Sequence, residues 1–259
     1  MAIKVVHSFN WFSIKKAGGT SDLMFKIVKA QEKNPELYPA ILSSDDSFDY
    51  SLKDQLKKTY FIISKSLIKS LNINLSSLPN RDLKKFNPDL IHMHVYRSIQ
   101  NIFIYIYCIT NKVPYVMDAH GSVPFWGKGK IKKKIYDFLI GKRIMLGASA
   151  WIAETEVGIK EYTELFPSIT GENADILSPP FGVDEFLKLP ETSDLDFRKK
   201  YGLTDDSIII TFLGRLHQGK GNDFLLKGIS RVSKTRKNLC CMLVGADDGH
   251  EETLRNLSK

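Results

Sequence analysis

Short apolar runs rich in β-branched residues alternate with longer amphipathic stretches along most of this chain, which is the pattern of βαβ units and a parallel sheet. Ile3 to His7 reads as the first strand. A loop containing Gly18 and Gly19 follows. Thr20 or Ser21 is then the expected N-cap of a helix reaching about Lys33, with Leu23, Ile27 and Ala30 at helical spacing on one face. Tyr38 to Ser43 reads as the second strand, Asp89 to His94 as a buried strand introduced by Pro88, and Tyr115 to Met117 as a strand running out into Asp118-Ala119-His120-Gly121. Helices are expected over Ile99 to Cys108, Lys130 to Leu146 and Val157 to Leu165. Strands Trp151 to Ala153 and Asp175 to Leu177 complete one doubly wound domain. Only Ser44 to Lys85 is hard to read, with a polar, acidic start and then an apolar run from Tyr60 to Ile63.

Consecutive prolines and a glycine in Ser178-Pro179-Pro180-Phe181-Gly182 stop regular structure and mark a boundary. The pattern therefore divides into residues 1–180 and 181–259. Past a linker rich in Asp and Glu, a short helix from Asp196 to Tyr201 leads into the strand Ile208 to Leu213. A glycine-containing loop, a helix from Asp223 to Val232, a strand from Leu239 to Val244 and a last helix follow. This is the opening of a second α/β domain.

Composition narrows the class. Hydrophobic content of 43% and charged content of 25% are ordinary for a globular protein. The start, MAIKVVHSFNWF, lacks a basic region followed by an apolar one, so no secretory signal is expected. The most apolar stretch, Ile99 to Thr110, falls short of the ~20 residues a membrane-spanning helix needs. Cys108, Cys240 and Cys241 form neither a disulfide framework nor a C-x-x-C spacing, and a reduced, cytoplasmic setting is expected. A net charge of +8 calls for an anionic partner. Nucleic acid is set aside for want of any zinc-finger, RNP-like or basic heptad motif. Phosphorylated small molecules and an anionic membrane surface remain, and charge alone does not choose between them.

Gly214-Arg215-Leu216-His217-Gln218-Gly219-Lys220-Gly221 is the most informative segment. Lying between a strand and a helix, it sets backbone N–H groups at a helix N-terminus, where anions bind. Arg215 adds a planar fork for phosphate oxygens and Lys220 a point charge. The P-loop pattern fails because Gly221 stands where a Mg²⁺-binding hydroxyl is required. Diphosphate binding is preferred over a solvated basic turn. Gly18 and Gly19 suit either a plain turn or a loop that approaches a ligand closely.

His120 leaves the C-terminal end of a strand, where ligands bind in open α/β sheets, and could bond a sugar hydroxyl or exchange a proton. His92 and His94 share one face of their strand. A metal is conceivable there, but no third ligand lies nearby in sequence, so packing is expected for His92 and site lining for His94. The stretch from Lys128 to Lys142 reads as an amphipathic helix with Ile131, Ile135, Phe138 and Leu139 on one face and Lys132, Lys133 and Lys134 beside them. Its apolar face is expected to pack on the domain's own sheet, with the lysines still able to touch an anionic membrane.

In this order these pieces resemble glycosyltransferase family 4. GGTSDLMFKIVKAQ is similar to that family's first glycine-rich loop and helix. NPDLIHMH and YVMDAHG resemble its N-domain strands, and WIAETEVGIKEY its closing strand and helix. SPPFGVDEF resembles its interdomain segment, with Pro180, Gly182, Val183, Asp184 and Phe186 in place. FLGRLHQGKGNDFLLKGI and MLVGADDG resemble the first units of its C-domain. The resemblance implies an α/β protein of GT-B type, with one complete Rossmann-like N-terminal domain and the first part of a second. It implies retaining transfer of a sugar from a nucleotide-sugar donor to a hydroxyl acceptor, in polysaccharide or glycolipid assembly, peripherally at the inner face of a membrane.

By position, Arg215, Lys220, Gly18 and Gly19 would hold the donor diphosphate. His120 would sit against the transferred sugar, with Gly214 and His94 lining the site. No cofactor or metal is implied. The family's E-x7-E glutamates would lie beyond the residues given, so they are assigned to no position, and a non-catalytic GT-B-like binding module is the alternative.

Overall fold

The computed structural model describes residues 1–14, 18–68, 75–76, 79–125, 129–180, 187 and 194–258. The chain forms two compact units, Met1–Phe181 and Gly182–Lys259. The interdomain segment from Phe181 to Phe186 lies outside the described residues, as does Lys128.

The first unit is built on strands β1 (Ile3–Ser8), β2 (Leu37–Ser44), β3 (Tyr60–Ser64), β6 (Leu90–His94), β7 (Tyr115–Asp118), β8 (Ala150–Ala153) and β9 (Ala174–Ile176), with a small antiparallel pair β4 (Ser66–Ile68) and β5 (Leu75–Ser76) between. Their order is β3-β2-β1-β6-β7-β8-β9, and every neighbouring pair is parallel. The chain thus steps outward from β1 to β3 and then restarts on the other side of β1 at β6. That reversal is the topological switch point, where open α/β sheets bind ligands. Strand alternation sends Val6, Ile91, Met93 and Met117 into one core cluster. The opposite face carries Val5 and His7 of β1, His92 and His94 of β6, and Asp118 of β7.

Several local expectations are corrected. The first helix is Gly19–Gln31, and its N-cap is Gly18 at φ 58, a left-handed backbone that suits glycine. Ser21 caps nothing: its hydroxyl is turned into the fold and donates to the Trp11 carbonyl. The hard-to-read stretch contains β3, the small β4–β5 pair, and helices Tyr50–Lys53 and Asn80–Phe86.

The helix expected over Lys130 to Leu146 is split by a π turn, Asp137–Gly141, between helices Lys130–Tyr136 and Lys142–Leu146. Two contacts account for the bulge. Asp137 is drawn to Arg97 by a two-pronged ion pair, Nε–Oδ1 2.9 Å and Nη2–Oδ2 2.7 Å. Gly141 lies so close to Tyr136 and Tyr96 that a Cβ there would stand 2.7 Å from both rings' atoms. The apolar face does not pack on the sheet. Ile131 is 75% exposed and Phe138 88%, with Ile135 and Leu139 also in solvent. What the segment buries instead is Ile144 and Met145.

The second unit pairs β10 (Ile208–Leu213) with β11 (Leu239–Val244) in parallel, flanked by helices Asp194–Lys200, Asn222–Val232 and Glu251–Leu257. No residue of β10 or β11 is fully buried. Leu216 and Leu254 supply the buried apolar contacts instead. Among the described residues, no helix is long and apolar enough to cross a membrane.

Candidate functional site

In the first unit, strand register assembles the polar face of the sheet. His7 pairs with His92 across β1 and β6, and His94 pairs with Asp118 across β6 and β7. The side chains then link diagonally. His7 Nδ1 lies 3.1 Å from His94 Nε2, and His94 Nδ1 lies 2.8 Å from His120 Nε2. The row is closed at both ends: His7 Nε2 meets Gln31 Oε1 at 2.9 Å, and His120 Nδ1 meets Glu154 Oε1 at 2.8 Å. Asp118 Oδ1 also faces His120 Nδ1, at 3.2 Å. Among the described residues His92 Nε2 is buried without a hydrogen-bond partner, 3.9 Å from Asp118 Oδ2.

Burial sets the charges here. It drives the His7 imidazole down to about 4 and holds His92 and His94 well below the ordinary histidine range, with neighbouring histidines adding to the effect. Burial also pushes Asp118 up to about 6, opposed by His120 and reinforced by Glu154. The hydrogen bond from His120 holds Glu154 below its usual value. The backbone is strained at the same place: Val95 (φ 68) and His120 (φ 46), just beyond β6 and β7, are both left-handed. Asn101 supports the first, its amide donating to the Val95 carbonyl at 2.7 Å.

The structure brings His94 and His120 together. The His120 side chain is only 4% exposed, held between His94 and Glu154. His7, Gln31 and Glu154 were missed in the sequence. Their only signal was position: His7 ends the first strand, and Glu154 follows β8 as His120 follows β7. Among the described residues, a Cβ at Gly18 or Gly19 would meet nothing within 4 Å.

Below the polar row the same face is an apolar groove of ≈ 580 Å³, lined by Leu23, Ile27 and Ala30 from the first helix and by Val5, Leu90 and Val116 from the sheet, with Gln31, His92 and Asp118 also in its wall. The helical face noted in the sequence thus lines this groove, while Met24, Phe25 and Val28 carry the helix's buried packing.

In the second unit, Gly214, Arg215 and Lys220 lie on one connection between β10 and helix Asn222–Val232. Backbone bonds lace it to the turn after β11: Gly214 N to Val244 O at 2.9 Å, Leu216 N to Ala246 O at 2.9 Å, and Asp248 N to Leu216 O at 3.1 Å. His217 Nδ1 accepts from Gly219 N at 3.0 Å, which shapes the short 3-10 turn Gln218–Lys220. Gly221 (φ 73) turns the chain into the helix. Arg215 is half-exposed and ion-paired with Asp248 at 2.6 Å. An exposed guanidinium beside a helix start can exchange that carboxylate for a phosphate oxygen.

No protein-family model matches the chain, and no curated protein sequence matches it. Solved structures do. HepE of Anabaena, in complex with UDP and glucose, is 14% identical with a TM-score of 0.68, covering 98% of this chain and 64% of that one. A glycosyltransferase from Rickettsia africae is 18% identical with a TM-score of 0.65, covering 100% and 64%. A protein described as a putative UDP-N-acetylglucosamine 2-epimerase from Listeria monocytogenes is 11% identical with a TM-score of 0.57, covering 100% and 65%. The chain has the GT-B type of α/β fold and spans 64% of the length of HepE and of the Rickettsia africae glycosyltransferase. At these identities the likeness establishes the fold.

Proposed function

We propose that this chain belongs to a glycosyltransferase of the family 4 type, which moves a sugar from a nucleotide-sugar donor to a hydroxyl acceptor with retention, in polysaccharide or glycolipid assembly. The observation that carries the proposal is the Gly214–Gly221 connection, where Arg215 and Lys220 stand at the start of a helix. In the transfer, the bond from the sugar's anomeric carbon to the diphosphate breaks, a bond to the acceptor oxygen forms, and the acceptor hydroxyl's proton passes to the leaving diphosphate. Arg215 and Lys220 take the charge that develops on the leaving diphosphate. This requires no cofactor. Within the first unit, Gly18 and Gly19 leave room for a phosphate beside the first helix and His120 and His94 line the polar row, and within the second Gly214 opens the connection that carries Arg215.

Titration calorimetry with UDP and other nucleoside diphosphates tests the first step. Arg215→Ala is expected to weaken binding about 10-fold to 100-fold, the worth of a charge-assisted hydrogen bond. A folded chain that ignores nucleoside diphosphates, or binds them equally well as Arg215→Ala, overturns the assignment. Since the fold is shared with an epimerase-described protein, product analysis separates the chemistries. Sugar joined to an added acceptor supports transfer, whereas donor epimerised at the sugar supports the other reaction.

The same reading places the chain at an anionic membrane surface. The exposed stripe of Ile131, Ile135, Phe138 and Leu139, flanked by Lys132, Lys133 and Lys134, supports it, because an apolar face edged with lysines suits the headgroup boundary.

A further inference from the structure

We propose that His7, His92 and His94 bind one divalent transition-metal ion of the zinc type, fastening β1 to β6 at the switch point of the sheet. The proposal stands independently of glycosyl transfer. One ligand nitrogen from each of these three buried histidines lies within 4.8 Å of the others. His7 Nδ1 and His94 Nε2 are 3.1 Å apart. Two nitrogens on a tetrahedral zinc ion would be about 3.3 Å apart, so a small outward shift of either ring admits the metal.

The unsatisfied atom points to the same place. Among the described residues His92 Nε2 is buried and unpartnered, a costly arrangement away from water unless something accepts its lone pair. The Asp118 carboxylate oxygen facing it at 3.9 Å is too far for a hydrogen bond. The gap is wider than the spacing of two ligands on one tetrahedral ion, and a small inward shift of either side chain would make Asp118 the candidate fourth ligand. Among the described residues the other cluster, His94, Asp118 and His120, has no such orphan: both His120 nitrogens are already engaged.

The outer contacts also match. Metal-bound histidines donate their second N–H to a fixed acceptor. With Nδ1 on the metal, His7 donates Nε2–H to Gln31 Oε1. With Nε2 on the metal, His94 donates Nδ1–H to His120 Nε2, and His120 in turn donates Nδ1–H to Glu154. Burial keeps His7 and His94 in the uncharged form that a metal requires. The groove, with His92, Asp118 and Gln31 in its wall, gives a path of entry.

The test is metal binding by the full chain after chelator treatment. The expected result is uptake of one equivalent of Zn²⁺, with visible d–d bands of tetrahedral type when Co²⁺ is used instead. His92→Phe, which keeps the ring volume, should weaken uptake by more than about 100-fold, and Gln31→Ala, one contact out, by about 10-fold. No stoichiometric uptake by the unaltered chain overturns the proposal. So does uptake that survives His92→Phe, including uptake lost only in Asp118→Asn or His120→Ala, which moves the ion to the neighbouring cluster. Should His92→Phe not fold, the Co²⁺ spectrum and Gln31→Ala decide: tetrahedral bands with weakened uptake uphold the site, and octahedral, water-like bands or unchanged uptake reject it.

Discussion

Gly245 faces Gly214 so closely that a Cβ on Gly245 would stand 2.6 Å from the Gly214 carbonyl carbon and closer still to its oxygen. The two glycines end β11 and β10, so the backbones of the two strand exits touch. This contact positions Arg215 and the turn that laces to it. Gly245→Ala is therefore expected to cost at least about 3 kcal/mol, because the obstacle is backbone and cannot swing aside. Limited proteolysis should show the second unit cleaved and the first intact. A variant as resistant as the parent would remove the contact from any role in building the loop.

Arg97 is a heavily engaged cation of the first unit. Besides the two bonds to Asp137, it donates to the Ser122 carbonyl at 2.5 Å and the Val123 carbonyl at 2.8 Å, and it lies over the Tyr96 and Phe125 rings. Asp137→Ala leaves this mostly buried guanidinium without its carboxylate and should cost roughly 3 kcal/mol. The melting temperature should fall by about 6–12 °C for a unit of this size. Arg97→Lys should not substitute, since an ammonium cannot make the two-pronged contact. Melting curves within 2 °C or so of the parent would count against the ion pair as a structural element.

Stability in the absence of metal should fall on acidification. His7 is held at about 4 in the fold against 6.5 when free. Its contribution is complete above 6.5 and is lost as pH falls through that window toward 4, by about 1.4 kcal/mol per pH unit. His92 and His94 shift the same way. Asp118 works oppositely: raised to about 6, it costs stability at neutral pH and recovers it on acidification. Three histidines outweigh one carboxylate. Urea midpoints measured with chelator at pH 7.5, 6 and 5 should decline, and the decline should be shallower in His7→Gln. A flat series would mean that the row is not held uncharged.

Membrane attachment should depend on the stripe more than on net charge. Phe138→Ser with Leu139→Ser removes two exposed apolar side chains, each worth about 1.5–3 kcal/mol if fully buried in lipid. Lys132→Gln with Lys134→Gln removes about 1 kcal/mol each on an anionic surface. Flotation with vesicles containing anionic lipid should show the first pair abolishing association and the second weakening it. Equal flotation of all variants would sink the assignment.

Much of the architecture was legible from sequence because its signals are local. The strands Ile208 to Leu213 and Leu239 to Val244 were read with the ends they have, being β-branched or apolar runs closed by glycine. The Gly214–Gly221 connection was legible for the same reason, since strand, loop and helix are contiguous. Periodicity also said which side chains share a face, as with Leu23, Ile27 and Ala30.

What a face meets is another matter. Ile131, Ile135, Phe138 and Leu139 lie on one side by spacing alone, yet only the tertiary structure shows that side in solvent, because the π turn at Asp137 and the burial of Ile144 and Met145 orient the segment. The histidine row is the stronger case. His92 and His94 were visible as a pair, but the missing third nitrogen comes from His7, 87 positions before His94. Strand order put β1 beside β6, and register set His7 against His92. Both arise from long-range pairing, which no window of sequence contains. Residue types and local periods were thus determined by the sequence itself, while the meeting of distant groups was decided by the sheet.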